Sequence, residues 1–277
     1  MKQFFLIFFS VYIVTCNTAI QNNKTFVKFP QTLADVGKNE CAIKYKNSLY
    51  DNNYTLKFKI NLVFVYPVSI NSAISNYDHY GDSLIQNLNK AYFDEGIEFS
   101  IQSTSNIYSN DNIDDLVDAI QNNNVKGKYN DLQDFMNVIV FTESTDVNVA
   151  GVSDGIPSTI IGLNLDRVTT STAPHEMGHA LGLRHIFEKD HTDGLNAQYG
   201  DLICDTPSFI MSSSDIGRGC KYLGKVLYTE EELNIIIPNY ENYNLTYEDC
   251  RKNFSPQQSL AMRWHIENYP ALYKSLL

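Results

Sequence analysis

Apolar positions return along this chain in two rhythms. Lys57-Phe58-Lys59-Ile60-Asn61 alternates, and Leu62-Val63-Phe64-Val65 then runs continuously apolar, as a strand does on entering a sheet covered on both faces. Over 82–93 the period lengthens: Leu84, Ile85, Leu88, Ala91 and Tyr92 fall at helical spacing and predict an amphipathic helix, ended by Gly96. Residues 97–102 alternate as a second strand, 112–121 give a second helix with Ile113, Leu116, Val117 and Ile120 inward, and 137–142 is a third, apolar strand. Residues 151–157 carry turn residues, and 159–165 is again strand-like. Strands interleaved with helices predict a sheet with helices packed on it. The next helix starts near Ser171, with Pro174 in its first turn. Beyond 185 the rhythm is lost, and 188–250 is rich in Gly, Asp, Asn and Ser. Order returns at Ser255, an N-cap followed by Pro256 at the first helical position and Gln258 at the third, which is a capping-box pattern. Leu260, Ala261, Trp264 and Ile266 supply the docking contacts of that last helix.

The start of the chain follows another logic. Lys2 precedes an apolar stretch of eleven residues, Phe4 to Val14, too short to span a bilayer and suited to the core of an export signal. Residues 1–19 therefore read as a signal peptide, cut after Ala19. Ile13-Val14-Thr15-Cys16 offers a second reading, a lipoprotein signal that leaves a lipid anchor on Cys16. Residues 20–55 are polar, rich in Asn and Lys, and read as a linker or short pro-segment. Residues 56–277 form the folded domain, with an upper lobe over 56–185 and a loop-rich lower lobe over 186–277.

Composition narrows the partners. With 277 residues and 43% hydrophobic content the chain can bury a substantial core. A net charge of −11 argues against nucleic acid and anionic membranes. No transmembrane span is expected, and a monomer is. Of five cysteines, Cys16 leaves with the signal or carries lipid. Cys41, Cys204, Cys220 and Cys250 remain, and in an exported chain they suggest two disulfides with three possible connectivities.

Chemistry concentrates in one place. Half of the six histidines lie in the eleven residues from His175 to His185, spaced H-E-x-x-H-x-x-G-x-x-H. Residues four apart share a helix face, so His175 and His179 can aim imidazole nitrogens at one ion. Glu176, rotated by about 100° from His175, reaches a water beside that ion instead of ligating. Gly182 can take the left-handed conformation that ends a helix, and the chain then returns His185 as third ligand. Three neutral histidines leave a fourth position open, as a catalytic zinc requires. A bare H-E-x-x-H arises by chance, but here Gly182 and His185 both fall at the required offsets. His79, His191 and His265 have no partner at ligand spacing.

The motif resembles that of the metzincin clan of metalloproteases. Its continuation, His185-Ile186-Phe187-Glu188, then Gly200-Asp201 and Asp205-Thr206-Pro207, resembles the pappalysin family, which includes ulilysin-like enzymes. Cys250, Phe254-Ser255-Pro256-Gln257-Gln258 and Met262-Arg263 resemble that family's closing segment. The similarity runs from about 57 to 267, with its sharp motifs in 175–267. It implies an α+β metzincin-type fold of two lobes, with a mixed sheet and helices in the upper lobe and a loop-rich lower lobe ending in a helix. It also implies a secreted or surface-anchored zinc endopeptidase acting on peptide or protein substrates, with Glu176 as general base. The peptide would lie extended between the lobes along a strand edge, with 151–157 as the loop beside it. The resemblance favours a Cys220–Cys250 disulfide, leaving Cys41–Cys204; Cys41 alternatively caps the zinc in a latent form. Asp201 and Asp205 would support a zinc histidine or bind a structural Ca2+, whereas Asp-Thr-Pro is also a good turn former in its own right.

One departure stands out. The family's turn under the zinc reads Asn-x-Met-x-Tyr, and this chain has Asn239-Tyr240-Glu241-Asn242-Tyr243. Tyr243 carries over as the group that hydrogen-bonds the oxyanion. Glu241 stands where Met belongs, and a buried carboxylate needs a partner. The expectation is that it accepts from the outer ring N–H of a zinc histidine or turns to solvent, and is not a fourth ligand. The alternative it raises is a catalytically inactive zinc-containing binding or adhesion protein on the same scaffold.

Overall fold

Strand β1 (Leu56–Pro67) is the axis of the fold. In this computed structural model, which describes residues 54–67, 77–109, 113–122, 125, 134–141, 149–187, 201, 203, 205–207, 215–242 and 247–277, β1 pairs in parallel with β2 (Ile97–Ser109) on one side and with β3 (Met136–Phe141) on the other. Its continuous apolar run is explained by burial on both faces. Phe58, Ile60, Leu62, Phe64 and Tyr66 enter the larger core, while Val63 and Val65 face a second cluster with Leu116, Val117 and Ile120. Asn61 precedes that run, at a register shift. It donates to Asn137 Oδ1 (3.0 Å) and accepts from Ser103 Oγ (2.6 Å), so a buried amide is satisfied inside the sheet.

The strand order is β2-β1-β3-β5-β4, with β5 (Ile160–Asn164) parallel to β3 and β4 (Gly151–Ser153) antiparallel at the end. A mixed sheet with packed helices is as expected. Helices α1 (Tyr77–Tyr92) and α2 (Ile113–Gln121) connect β1 to β2 and β2 to β3. Three expectations need correction. Helix α1 begins five residues before 82. Strand β2 runs on to Ser109, because its second half is an edge whose mostly exposed polar side chains leave no alternation to read. Residues 151–153, expected as turn, are the three-residue strand β4; the bend follows over 154–157, with a cis Ile156–Pro157 bond.

Helix α3 (Thr172–Ala180) has all nine residues buried. The region beyond it holds more regular structure than its composition suggests. Strands β6 (Ile216–Gly217) and β7 (Lys221–Tyr222) form a small hairpin, and α4 (Glu230–Ile236) starts from a Thr229–Glu232 capping box. Helix α5 (Pro256–Asn268) has the expected Ser255–Gln258 capping box. Its buried face is Gln258, Ala261, Met262, Arg263 and Ile266, while Leu260 and Trp264 are only half-buried. Arg263, 2% exposed, donates to the carbonyls of Glu95 (2.6 Å) and Tyr54 (3.2 Å) and so pins α5 to the α1–β2 turn. Helix α6 (Pro270–Lys274) then brings the chain end back to β1, where Leu277 N donates to Lys57 O (2.8 Å). The larger core is therefore shared: Phe254, Met262, Ile266 and Leu272 pack in one cluster with the sheet residues.

Cys220 and Cys250 are disulfide-bonded, with Cα atoms 5.5 Å apart. Cys41, Cys204 and the whole of 1–53 lie outside the described residues. Among the described residues no helix is long and apolar enough to cross a membrane.

Candidate metal centre

Helix α3 stops where the motif requires. Leu181 N still donates to Met177 O, but Gly182 N turns back to His179 O and Leu183 N reaches Gly178 O, all at 2.9 Å. Gly182 carries φ +98°, and a side chain there would run into the ring of His265 on α5. The left-handed turn thus depends on glycine, and it returns His185 toward the helix. The third imidazole stacks on Phe187, with ring centroids 4.7 Å apart and planes 15° from parallel.

Among the described residues, His175, His179 and His185 form the metal-competent group, with ligand atoms within 4.8 Å of one another. Nε2 of His185 lies 3.0 Å from that of His179 and 3.2 Å from that of His175. A tetrahedral zinc with Zn–N bonds of about 2.0–2.1 Å would separate its nitrogens by about 3.3 Å. The tautomers agree as well. His175 Nδ1 faces Tyr240 O (2.7 Å) and His179 Nδ1 faces Leu183 O (2.8 Å). A carbonyl only accepts, so both Nδ1 atoms carry the proton and both Nε2 atoms present lone pairs. Burial holds the rings neutral: His175 is well below the ordinary histidine range, His179 is pushed down to about 4 and His185 to about 3. Neutral imidazoles converging through lone pairs repel one another unless a cation lies between them. The donor set fits zinc.

Glu176 is buried, and burial raises its carboxyl to about 8, against the pull of the Arg251 guanidinium. A carboxyl group so placed can both take and return a proton. Its place is shaped by Gly151 on β4: a Cβ there would stand 2.6 Å from Glu176 Cγ and 3.0 Å from Oε1. The end strand of the sheet therefore runs directly alongside the candidate base.

Opposite the Nε2 atoms, the turn at 239–242 touches the segments of all three histidines. The Tyr240 carbonyl holds His175, the Glu241 carbonyl accepts from Ile186 N (3.3 Å), next to His185, and the Glu241 carboxylate lies under His179 and His175. Glu241 is fully buried, with Oε2 3.3 Å from His179 Nδ1 and 3.6 Å from His175 Nδ1. It lies on the outer side of the rings and leaves the ligand side open. Polar side chains hold the turn. Asn239 Oδ1 accepts from Glu241 N (2.9 Å), Asn239 Nδ2 donates to Gln258 Oε1 (2.8 Å), and Gln258 Nε2 donates to Asp201 Oδ2 (3.2 Å). Aromatic packing adds to this: Phe254 sits between Tyr240 and Tyr92, and the Tyr92 hydroxyl donates to Pro174 O on α3 (2.8 Å).

Asp201 and Asp205 are engaged in structural hydrogen bonds. Asp201 Oδ1 accepts from Ile203 N (3.1 Å) and from Thr206 Oγ1 (2.5 Å), and Asp205 accepts from Ser255 Oγ (2.6 Å) and Gln257 N (2.9 Å) at the start of α5. Tyr243 and His191 lie outside the described residues. Periodicity and motif spacing gave no sign of the roles of Gly178 and Arg251, and Gly151 was expected only as part of the loop 151–157 beside the cleft. Arg251, 3% exposed, donates from Nε to Ser171 Oγ (2.9 Å) and from Nη1 to Asn242 O (3.3 Å), joining the start of α3 to the turn. Its position directly after Cys250 is the sole sequence clue.

A mixed sheet with an antiparallel end strand, beside a buried helix bearing two of three convergent histidines and a glutamate, defines the class: a metalloprotease of the zincin type. The family model described as pregnancy-associated plasma protein-A, a peptidase family, matches residues 108–267. That is more than half of the 277 residues, and the chain belongs to this family. An extracellular metalloprotease of Neurospora crassa is 28% identical over 240 residues, covering 78% of each chain. One from Sordaria macrospora is 29% identical over 198 residues, covering 66% of this chain and 65% of its own length. The solved structure of mature mirolysin from Tannerella forsythia, in complex with a cleaved peptide, superposes with a TM-score of 0.54 at 19% identity, over 80% of this chain and 96% of that one. At that identity the likeness speaks to the fold.

Proposed function

We propose that this chain is an exported zinc endopeptidase in which His175, His179 and His185 hold the ion and Glu176 is the general base. The observation that carries the reading is the convergence of three imidazole Nε2 atoms, those of His179 and His175 lying 3.0 and 3.2 Å from that of His185, beside a buried carboxyl. Zinc bound there supplies Lewis-acid chemistry, polarising the scissile carbonyl and acidifying a water. Glu176 takes the proton of the attacking water and delivers it to the leaving amine. Strand β4, at the end of the sheet, offers its outer edge to an extended peptide, which pairs with it through main-chain hydrogen bonds. Gly151 brings that edge against Glu176, so a peptide on β4 lies beside the base. Tyr243, by family resemblance, hydrogen-bonds the oxyanion. Export rests on the signal-like residues 1–19 and on relatives named as extracellular. The folded domain over 56–277 carries all of this chemistry, with residues before it removed or serving as a pro-segment.

The test is cleavage of a peptide library by purified mature protein, with and without a zinc chelator. Glu176→Gln is expected to keep metal and fold and to lose at least about 10²-fold in rate. Undiminished cleavage by that variant sinks the mechanism.

A further inference from the structure

Gly178, at a position the motif leaves unspecified, faces away from the metal side of α3. A Cβ built on it would collide with Glu241 Oε1 and stand 3.1 Å from Glu241 Cδ. The carboxylate of Glu241, with no exposed surface, therefore occupies space that only glycine at 178 leaves open, and its Oε2 lies under the outer nitrogens of both His175 and His179. Those nitrogens already donate to Tyr240 O and Leu183 O at 2.7 and 2.8 Å. At 3.3 and 3.6 Å the carboxylate adds charge more than a hydrogen bond.

We propose that Glu241 is a positioning residue for the metal site, placing a buried negative charge beneath two ligating imidazoles through a gap made by Gly178. The inference rests on the zinc reading above. A carboxylate behind a ligating histidine makes the ring a better donor and fixes its orientation. Here one carboxylate serves two rings, and a bound divalent cation in turn compensates a charge that is costly to bury. Metal affinity and the stability of the 239–242 turn become one property. Gly178 and Glu241 are coupled, so a change at one alters the cost of a change at the other.

The test is zinc affinity by competition with a chromophoric chelator, together with the visible spectrum of the cobalt-substituted protein. Glu241→Gln keeps the shape and removes the charge, and Glu241→Met keeps comparable length without polarity. Both are expected to bind zinc about 10- to 100-fold more weakly and to shift the cobalt bands. Affinity equal to wild type in both variants would show that Glu241 only fills space and would overturn the inference. If wild-type protein itself binds no zinc, the zinc reading fails instead. The pairing has its own signature, which does not depend on metal. Gly178→Ala is expected to lower the melting temperature of the wild-type chain and to raise it in a Glu241→Ala background, where helix propensity favours alanine over glycine. The same sign in both backgrounds would refute the coupling.

Discussion

The histidines are held from two sides by different means. On the side of α3 and the sheet the support is apolar. Ala173, Met177 and Ala180 of the helix pack in one cluster with the sheet residues. On the side of the 239–242 turn the support is polar: Asp201, Gln258, Asn239 and Arg251 are each 4% exposed or less and act through named hydrogen bonds. Apolar packing spreads a loss over many neighbours, whereas a buried polar network loses a whole interaction when one member goes. The two sides should therefore fail in different ways.

The largest expected effect is on the apolar side. Leu84 is fully buried between α1 and the sheet, and Leu84→Ala should cost about 3–5 kcal/mol of unfolding free energy. Its effect on activity should be slight, because no hydrogen bond to the histidines runs through it. Gln258→Ala should cost less, about 2–3 kcal/mol, since it strips partners from Asn239, Ser255 N and Asp201. It should nevertheless reduce kcat/KM by about tenfold or more, because Asn239 holds the backbone of Glu241 and small misplacements of a reacting geometry are expensive. Urea unfolding and peptide cleavage on both variants decide the matter. If Leu84→Ala loses as much activity as Gln258→Ala, the division of labour is wrong.

The same division explains what could be read from the sequence. Strands β1 and β3 and helices α1 and α2 announce themselves because burial on a fixed face imposes a period. The metal site announces itself because helix geometry fixes the offsets from His175 to His179 and the turn at Gly182 fixes His185. What escaped has no local period. Strand β4 is three residues long, and the far half of β2 is exposed on an edge. Thr229 and Glu232 did spell a capping box for α4, but within a region of turn-rich composition. The polar side was hidden for a deeper reason. Gln258 meets Asp201 across 57 residues, Arg251 meets Ser171 across 80, and Gly178 makes room for a carboxylate far along the chain. Helix and strand periods report only neighbours within a few residues, so partners at such separations leave no pattern. Glu241 was conspicuous only against the family turn, and its side of the rings became known only from the fold.

The smallest expected effect makes the sharpest comparison, because it places one motif in two surroundings. Ser255 and Thr229 each cap a helix through a reciprocal box: Ser255 Oγ accepts from Gln258 N at 3.2 Å, and Thr229 Oγ1 accepts from Glu232 N at 3.2 Å. The return bonds are also equal, Ser255 N to Gln258 Oε1 and Thr229 N to Glu232 Oε2, both 2.8 Å. By hydrogen-bond geometry alone the two alanine variants should lose the same amount. Surroundings separate them. Ser255 is buried, and its hydroxyl also donates to Asp205 Oδ1 at 2.6 Å, so its removal leaves a carboxylate short of a donor where water does not easily reach. Thr229 and its bonds are exposed, and water replaces what is lost. Loss of a cap costs about 0.5–2 kcal/mol. Ser255→Ala should fall at about 2 kcal/mol and Thr229→Ala at about 0.5 kcal/mol. Ser255→Ala should also reduce cleavage, because Gln258 is shared between the cap and the turn under the histidines, whereas Thr229→Ala should leave it unchanged. Equal shifts in the urea midpoint, with equal activities, would mean that the polar side of the site draws nothing from its burial.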